Sequence, residues 1–507
     1  MSDQPPTPPP LPPWSPPVAP PPVGSPGGFY DVPAPTPPPS TGSGRSRWLL
    51  LGMALVLVGV AVVGVVVDRL LLSEERPRYP EVWDERVAAI AAFVEDERGL
   101  DFEHPVFVDF LPEDEFREKV TTSRDELSDE DRREIEQATS LLRALGLVEG
   151  DLDLFEEQNQ LSADATLAFY DPDTKRVTVR GTEVTPEVAS TLAHELTHAL
   201  QDQHFDLAAL RETAGDDRAL VFRALVEGDA MVVQTAYDEA KLSESERKEI
   251  ARREQAESAR AYGDREPVLV AFMAAPYEVG PVFAKLVEQE GGRQALDRLY
   301  TEGLPDEVAL FDPTRLDDKP LDVDPPSTPE GAETTDDGEF GVFGWFIVLA
   351  ARLDAQDALA AIDGWGGDSF VSYDNDGKVC VTARYRGRSG AATAKVEQLL
   401  ARWVDAMPDG AASVGRSGEV VELRSCDPGE DRVGKPNDVV SALRYPIGRL
   451  EVTQQLLDLN RREFDLEGAW CVAKGLFETF TIDELDAPTP DPEVIRQAQA
   501  ITASCAR

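Results

Sequence analysis

The segment from Thr185 to Asp202 constrains the fold most, because its pattern predicts a single helix in which two histidines and a glutamate lie among apolar residues. Thr185 suits the N-cap position and Pro186 the first helical position. Apolar side chains then recur at the spacing of a stripe that faces a core, at Val188, Leu192, Leu196 and Ala199. His194 and His198 lie about one turn apart on this helix, so both imidazoles point the same way.

These histidines belong to the motif H-E-x-x-H, which here reads His194-Glu195-Leu196-Thr197-His198. Two imidazoles at this spacing can bind one metal ion, and Glu195 between them can accept a proton from water. The chain has only four histidines, and a chance occurrence of the motif has a probability on the order of 0.003. The motif therefore predicts a Zn²⁺ site with Glu195 as a catalytic base.

A catalytic zinc ion needs a third protein ligand, and two residues are candidates. His204 follows His198 by the spacing of H-E-x-x-H-x-x-G-x-x-H, but Gln201 stands where that pattern has its turn-forming glycine. Glu227 lies in a second predicted helix, from about residue 217 to 237, which is dense in apolar residues. A carboxylate in such a helix needs a partner, since burying it alone is costly. The pattern favours Glu227, with His204 as the alternative.

An H-E-x-x-H helix followed by a glutamate on the next helix resembles the gluzincins, the thermolysin-like group of zinc peptidases. The runs HELTHALQDQHFDL from His194 and EGDA from Glu227, with Pro276-Tyr277 and Gly280, resemble a set of bacterial predicted zinc peptidases. This resemblance covers about residues 80–315. It implies zinc ligation by the two motif histidines and Glu227, with a zincin-like fold around them.

The resemblance leaves two positions open. Four residues after Glu227 thermolysin has an aspartate, but this chain has Met231, so the support for a histidine ligand is unassigned and Asp229 is a weak substitute. A peptidase also stabilises a developing oxyanion, and Tyr277 is a candidate donor for that catalytic role. The alternative for Tyr277 is a packed residue in a turn.

The N-terminal region predicts a membrane anchor. Residues 1–44 are rich in proline and predict a disordered cytoplasmic tail. Trp48–Val67 contains no charged residue and is long enough to cross a bilayer, so we assign 45–70 to a transmembrane signal anchor. Arg45 and Arg47 precede it, which places the remainder outside the cytoplasm, as a single-pass protein of the cell membrane. A cleaved signal peptide is the alternative.

The C-terminal third predicts a second domain. Residues 316–340 are rich in Asp, Pro and Thr and predict an acidic linker, and residues 341–507 mix short strands with helices. All four cysteines lie there, and the locality of each pair favours the disulfides Cys380–Cys426 and Cys471–Cys505 over free thiols. The expected fold class is α+β: a mainly helical metallopeptidase domain with a small sheet (residues 80–315), and a smaller disulfide-bearing α+β domain.

Charge and motif together lead to a hypothesis of function. The formal net charge of −46 argues against nucleic acid as a partner. We expect a membrane-anchored zinc metallopeptidase that hydrolyses peptides or proteins with zinc-activated water and a glutamate base. One alternative is a non-catalytic zinc-binding protein of the cell envelope that serves binding or assembly. Another is a zinc hydrolase acting on a non-peptide amide of the cell wall. No oligomeric state is predicted.

Overall fold

The computed structural model describes residues 79–215, 218–263, 265–375, 377–429 and 434–506. Within these residues the protein is α+β, with two sheets and two disulfides. The predicted proline-rich tail and the apolar run Trp48–Val67 lie outside the described residues. The first part of the chain, to residue 315, forms α1 (Ala88–Arg98), β1 (Phe107–Leu111), α2 (Glu113–Val120), α3 (Asp129–Ala144), α4 (Leu154–Ala165), β2 (Ala168–Asp171), β3 (Arg176–Arg180), α5 (Pro186–Phe205), α6 (Leu207–Ala214), α7 (Ala219–Lys241), α8 (Glu244–Tyr262), α9 (Pro267–Gly291), α10 (Arg293–Thr301) and α11 (Val308–Phe311), with short 3-10 turns at Arg124–Glu126 and Pro313–Arg315.

The sequence predicts a hairpin of residues 166–170 and 176–180 around Asp171-Pro172-Asp173, and this hairpin forms within a three-stranded sheet of order β1-β3-β2. Strand β2 pairs antiparallel to β3, while β1 pairs parallel to β3 on its other side. The turn is closed by the Asp171 carboxylate, which accepts hydrogen bonds from the backbone N–H groups of Asp173 and Thr174. Strand β2 is thus an edge of this sheet, and it packs against α5.

Helix α5 begins as its sequence predicts. The Thr185 hydroxyl accepts a hydrogen bond from the Val188 N–H, and Pro186 occupies the first turn. The helix continues to Phe205, where Asp206 adopts a left-handed conformation with φ of 49° and the chain turns into α6. The sequence also predicts a helix over residues 129–145 with Ser128 as its N-cap, and α3 starts there with a capping box of Ser128 and Asp131.

Helices α7 and α9 pack with their backbones in contact. A Cβ atom added to Gly228 of α7 would lie 2.3 Å from the backbone C and O atoms of Gly280, and one added to Gly280 would lie 2.3 Å from the Ala224 carbonyl oxygen. No side chain fits between the two helices at this crossing. Helix α9 includes Pro276 and Pro281 in its interior. The alternative that placed Tyr277 in a turn is therefore wrong, because both prolines are accommodated within one long helix.

The second part of the chain builds a five-stranded sheet covered by helices. It contains β4 (Glu333–Gly338), α12 (Gly341–Ala350), α13 (Ala355–Asp363), β5 (Trp365–Asp374), β6 (Val379–Gly387), α14 (Gly390–Asp405), β7 (Ala412–Ser417), β8 (Val420–Cys426), α15 (Val439–Asn460), α16 (Leu466–Thr479), α17 (Ile482–Leu485) and α18 (Pro492–Cys505). The strand order is β4-β5-β6-β8-β7, and all neighbours are antiparallel.

Both predicted disulfides are confirmed, and each fastens neighbouring elements. Cys380–Cys426 joins β6 to β8 at directly paired positions, and Cys471–Cys505 joins α16 to α18. The segment 316–340, predicted as a linker, contributes the edge strand β4 to the sheet. The apolar run of residues 342–359 predicts one helix, and it forms as two helices, α12 and α13, with a break after Ala350.

The main hydrophobic core runs through both parts of the chain. It includes Leu225 of α7, Phe283 of α9, Trp345 of α12 and Leu450 of α15. A second, smaller core lies between the three-stranded sheet, α1 and α5. The division into two domains at residues 316–340 stays a prediction.

Among the described helices, α9 is the one long and apolar enough to cross a membrane by length and composition alone. Its apolar window is 72% buried within the protein. It also makes the Gly228–Gly280 contact with α7 and contributes to the main core. We therefore describe α9 as a core helix, and the predicted anchor remains the run at 48–67.

Candidate metal centre

Three potential metal ligands converge between helices α5 and α7. The Nε2 atoms of His194 and His198 lie 3.0 Å apart, and the Glu227 Oε2 atom lies 3.1 Å from the first and 3.3 Å from the second. These three residues form a group that could hold a metal ion. A tetrahedral ion with bonds of about 2.0–2.1 Å separates its ligand atoms by about 3.3 Å. The spacing of the three atoms therefore fits direct coordination of one ion.

The structure places the competing candidate elsewhere. His204 lies near the end of α5 with its side chain exposed, and its Nε2 atom is 2.8 Å from the Asp101 carbonyl oxygen. The helix continues straight through Gln201, so His204 is carried away from the face shared by His194 and His198. Glu227, rather than His204, joins the pair.

Glu195 is held beside the group by the edge strand of the small sheet. Its Oε2 atom accepts a hydrogen bond of 2.7 Å from the Tyr170 backbone N–H. Its other oxygen, Oε1, is buried and accepts no hydrogen bond from the described residues. A buried carboxylate oxygen needs a donor, and this oxygen is the unsatisfied acceptor of the site. The hydroxyl of Tyr170 donates to Asp202 one turn beyond His198, so a single residue ties β2 to α5 twice.

The charges in the group depend on each other. Burial raises the pKa of Glu195 to about 8. Burial also opposes the charge of Glu227, but His198 and His194 outweigh it and hold the pKa of Glu227 at about 2. For His198 the carboxylates of Glu227 and Glu195 overcome burial and raise the pKa to about 9. Without a metal ion the positive partner of Glu227 is therefore a protonated His198, and a bound cation would take the place of that proton.

The remaining predicted site residue, Tyr277, lies on α9. It is buried, and its ring packs in a small apolar cluster with Ala274, Met231 and Met273. Met231 follows Glu227 by one turn on α7, so this cluster lies next to the metal-ligand segment of that helix. The catalytic role of Tyr277 stays a prediction.

Sequence reasoning missed the residues that contact the histidines from behind. Gln234 of α7 contacts His194 Nδ1, and Gln201 of α5 contacts His198 Nδ1. Gln201 further contacts Asp229, which binds the buried Arg98 of α1. The position of Gln201, three residues after His198 on a helix that is largely buried, could have indicated its contact with that histidine. Nothing in the sequence indicates the contact between Arg98 and Asp229.

The group is enclosed by protein on all sides. The exposed fraction is 0% for both histidines and 1% for Glu195 and Glu227. No protein-family model, curated protein or solved structure was found to match this chain.

Proposed function

We propose that this chain is a zinc metallopeptidase of the gluzincin type, anchored in the cell membrane by its N-terminal apolar run, with peptides or proteins as substrates. The observation that carries the proposal is the convergence of the His194 and His198 Nε2 atoms and the Glu227 Oε2 atom within 3.0–3.3 Å of one another. Two imidazoles and one carboxylate are a ligand set that catalytic zinc sites use.

Zinc bound there would supply a Lewis acid that polarises a carbonyl and activates water. The chain's own residues supply the remaining functions. Glu195 can take up a proton at Oε1, because that oxygen has no donor among the described residues while Oε2 is fixed by Tyr170. In the metal-free site burial raises the pKa of Glu195, which favours uptake of a proton there.

The test is metal content and peptide cleavage of the purified full chain. We expect one zinc ion per chain, lost in Glu227→Ala and in His194→Ala, and retained in Glu195→Gln. His204→Ala is the matched control, because this exposed histidine lies on the same helix outside the group, and it should keep its zinc. A mixture of unfolded peptides read by mass spectrometry should be cleaved by the wild type but not by Glu195→Gln.

A second function is favoured by one observation, the complete burial of the site. A closed zinc site also fits a non-catalytic envelope protein that uses the ion for folding and for binding a partner. Stoichiometric zinc without cleavage of any peptide in the mixture would favour this function. Absence of zinc from the wild type after metal has been supplied would contradict both.

A further inference from the structure

Each histidine of the metal group contacts a side-chain amide oxygen through its Nδ1 atom. His194 Nδ1 lies 3.1 Å from the Gln234 Oε1 atom, and His198 Nδ1 lies 3.0 Å from the Gln201 Oε1 atom. An amide oxygen can only accept, so each Nδ1 must carry the proton and donate it. A neutral imidazole has one such proton, so each Nε2 keeps its lone pair for the group shared with Glu227.

The orientation of the Gln201 amide is set by its own partners. Its Nε2 atom lies 3.0 Å from the Val226 carbonyl oxygen, 3.0 Å from Asp229 Oδ2 and 3.1 Å from the Tyr300 hydroxyl. The carbonyl and the carboxylate can only accept, so the NH₂ end must face them and the oxygen must face His198. A flipped amide would place its oxygen against two acceptors.

Asp229 is in turn held by a buried cation. Arg98 Nε donates to Asp229 Oδ2 at 2.9 Å, and both side chains are 3% exposed. The Tyr300 hydroxyl donates to the same oxygen at 3.0 Å, and the second guanidinium end of Arg98 binds Asp297 at 2.6 Å. A continuous set of contacts therefore runs from α1 through α7 to the imidazole of His198 on α5.

We propose that Gln201 and Gln234 are positioning residues of the metal site, and that the Arg98–Asp229 pair fixes Gln201. The inference rests on the proposed metal-binding function and extends it to residues that do not touch the ion. Both glutamines are uncharged, so they orient the histidines without adding a negative charge to a group that already contains Glu227 and Glu195.

The two positions tolerate different replacements, which makes the proposal specific. At Gln234 a protonated glutamate would keep the acceptor for His194 Nδ1, and its own O–H would donate to the Ser190 oxygen as the amide does, because the Ser190 hydroxyl itself bonds the Asp238 carboxylate. At Gln201 a glutamate would place an oxygen against Asp229 and the Val226 carbonyl. The first replacement should be accepted and the second should not.

The experiment measures the affinity of the full chain for Zn²⁺ by competition with a chromophoric chelator, and the absorption spectrum of the protein loaded with Co²⁺. Gln201→Leu, Gln201→Glu and Gln234→Leu should weaken zinc binding by roughly 10–100-fold and alter the cobalt spectrum. Gln234→Glu should restore wild-type affinity and spectrum. Gln203→Leu is the control, because this glutamine of α5 binds the loop at Glu103 and His104 instead.

Three results would count against the proposal. Wild-type affinity in both leucine variants would overturn it while leaving the metal site intact. A loss in Gln234→Leu that Gln234→Glu does not restore would show that packing matters and the acceptor does not. A wild-type protein that binds neither ion would overturn both this inference and the proposed function. Unfolding of the metal-free variants in urea identifies any loss of affinity that comes from misfolding.

Discussion

At the scale of single residues, Glu307 is a carboxylate whose burial has a measurable cost. It is partly buried next to the start of α12, where it accepts a hydrogen bond of 2.6 Å from the Phe343 N–H. Burial, with the nearby charges of Asp306, Asp368 and Glu339, raises its pKa to about 8. Between about pH 4.5 and about pH 8, Glu307 is therefore protonated in the folded protein and ionised in the unfolded chain.

This difference predicts a pH-dependent stability. Since the folded-state pKa lies above the unfolded value near 4.5, the contribution of Glu307 is most favourable below about pH 4.5. It is lost as the pH rises through 8. We expect the stability of Glu307→Gln relative to wild type to increase by up to about 4 kcal/mol between about pH 5 and about pH 9.

The measurement is the free energy of unfolding in urea at both pH values. The control is Glu302→Gln, the same change at an exposed glutamate five residues earlier, which should give no such gain. A gain in Glu307→Gln that is the same at both pH values would contradict the explanation.

Residue chemistry also decided what the sequence could reveal about the site. His194, His198 and Glu195 follow from a motif, and Glu227 follows from the cost of a lone carboxylate in an apolar helix. The role of Arg98 could not be predicted, because its partner comes from a distant part of the chain. Arg98 and Asp229 are 131 residues apart, for example.

At the scale of elements, the crossing of α7 and α9 fixes the helix that carries Glu227. Gly228 follows Glu227 directly and packs against the backbone of Gly280. We expect Gly228→Ala to destabilise the protein by about 1–3 kcal/mol despite alanine's higher helix propensity, because the new methyl group must push two backbones apart.

Thermal and urea unfolding of Gly228→Ala against wild type would check this expectation. Gly390→Ala on α14 is the matched control, since a Cβ atom there meets nothing within 4 Å, and it should be neutral or slightly stabilising. Equal stability of Gly228→Ala and wild type would mean that the two helices can separate without cost.

Elements were predictable where local chemistry alone defines them. The caps at Thr185 and Ser128 mark their helices correctly, as does the hairpin around Asp171. Helix α9 was missed because Pro276 and Pro281 usually end helices, and here packing against α7 and α15 maintains the helix through both. The strand β4 was missed because its acidic, proline-flanked sequence is typical of a linker, and it becomes a strand only through its pairing with β5.

At the scale of the whole molecule, the enclosure of the metal group controls its exchange with solvent. Both histidines are fully buried, so a chelator in solution has no direct contact with them. We expect zinc to leave the folded protein at a rate set by opening of the structure. That rate should be independent of chelator concentration and should increase in urea below the unfolding transition.

Release can be followed with a chromophoric zinc indicator over a range of EDTA concentrations. A release rate proportional to EDTA would contradict the enclosure, because it would require direct attack on a solvent-accessible ion. Hydrogen exchange of α5 and α7 measured in parallel would identify the helices that open.

The enclosure has a consequence for how the ion is chosen. The candidate ligands come from two helices, so the site is assembled only as those helices pack, and a cation bound during folding would be enclosed with them. Its identity would then reflect the supply of metals in the compartment where folding happens, and not the supply where the finished protein resides. The bound metal would then report the compartment in which the chain folded.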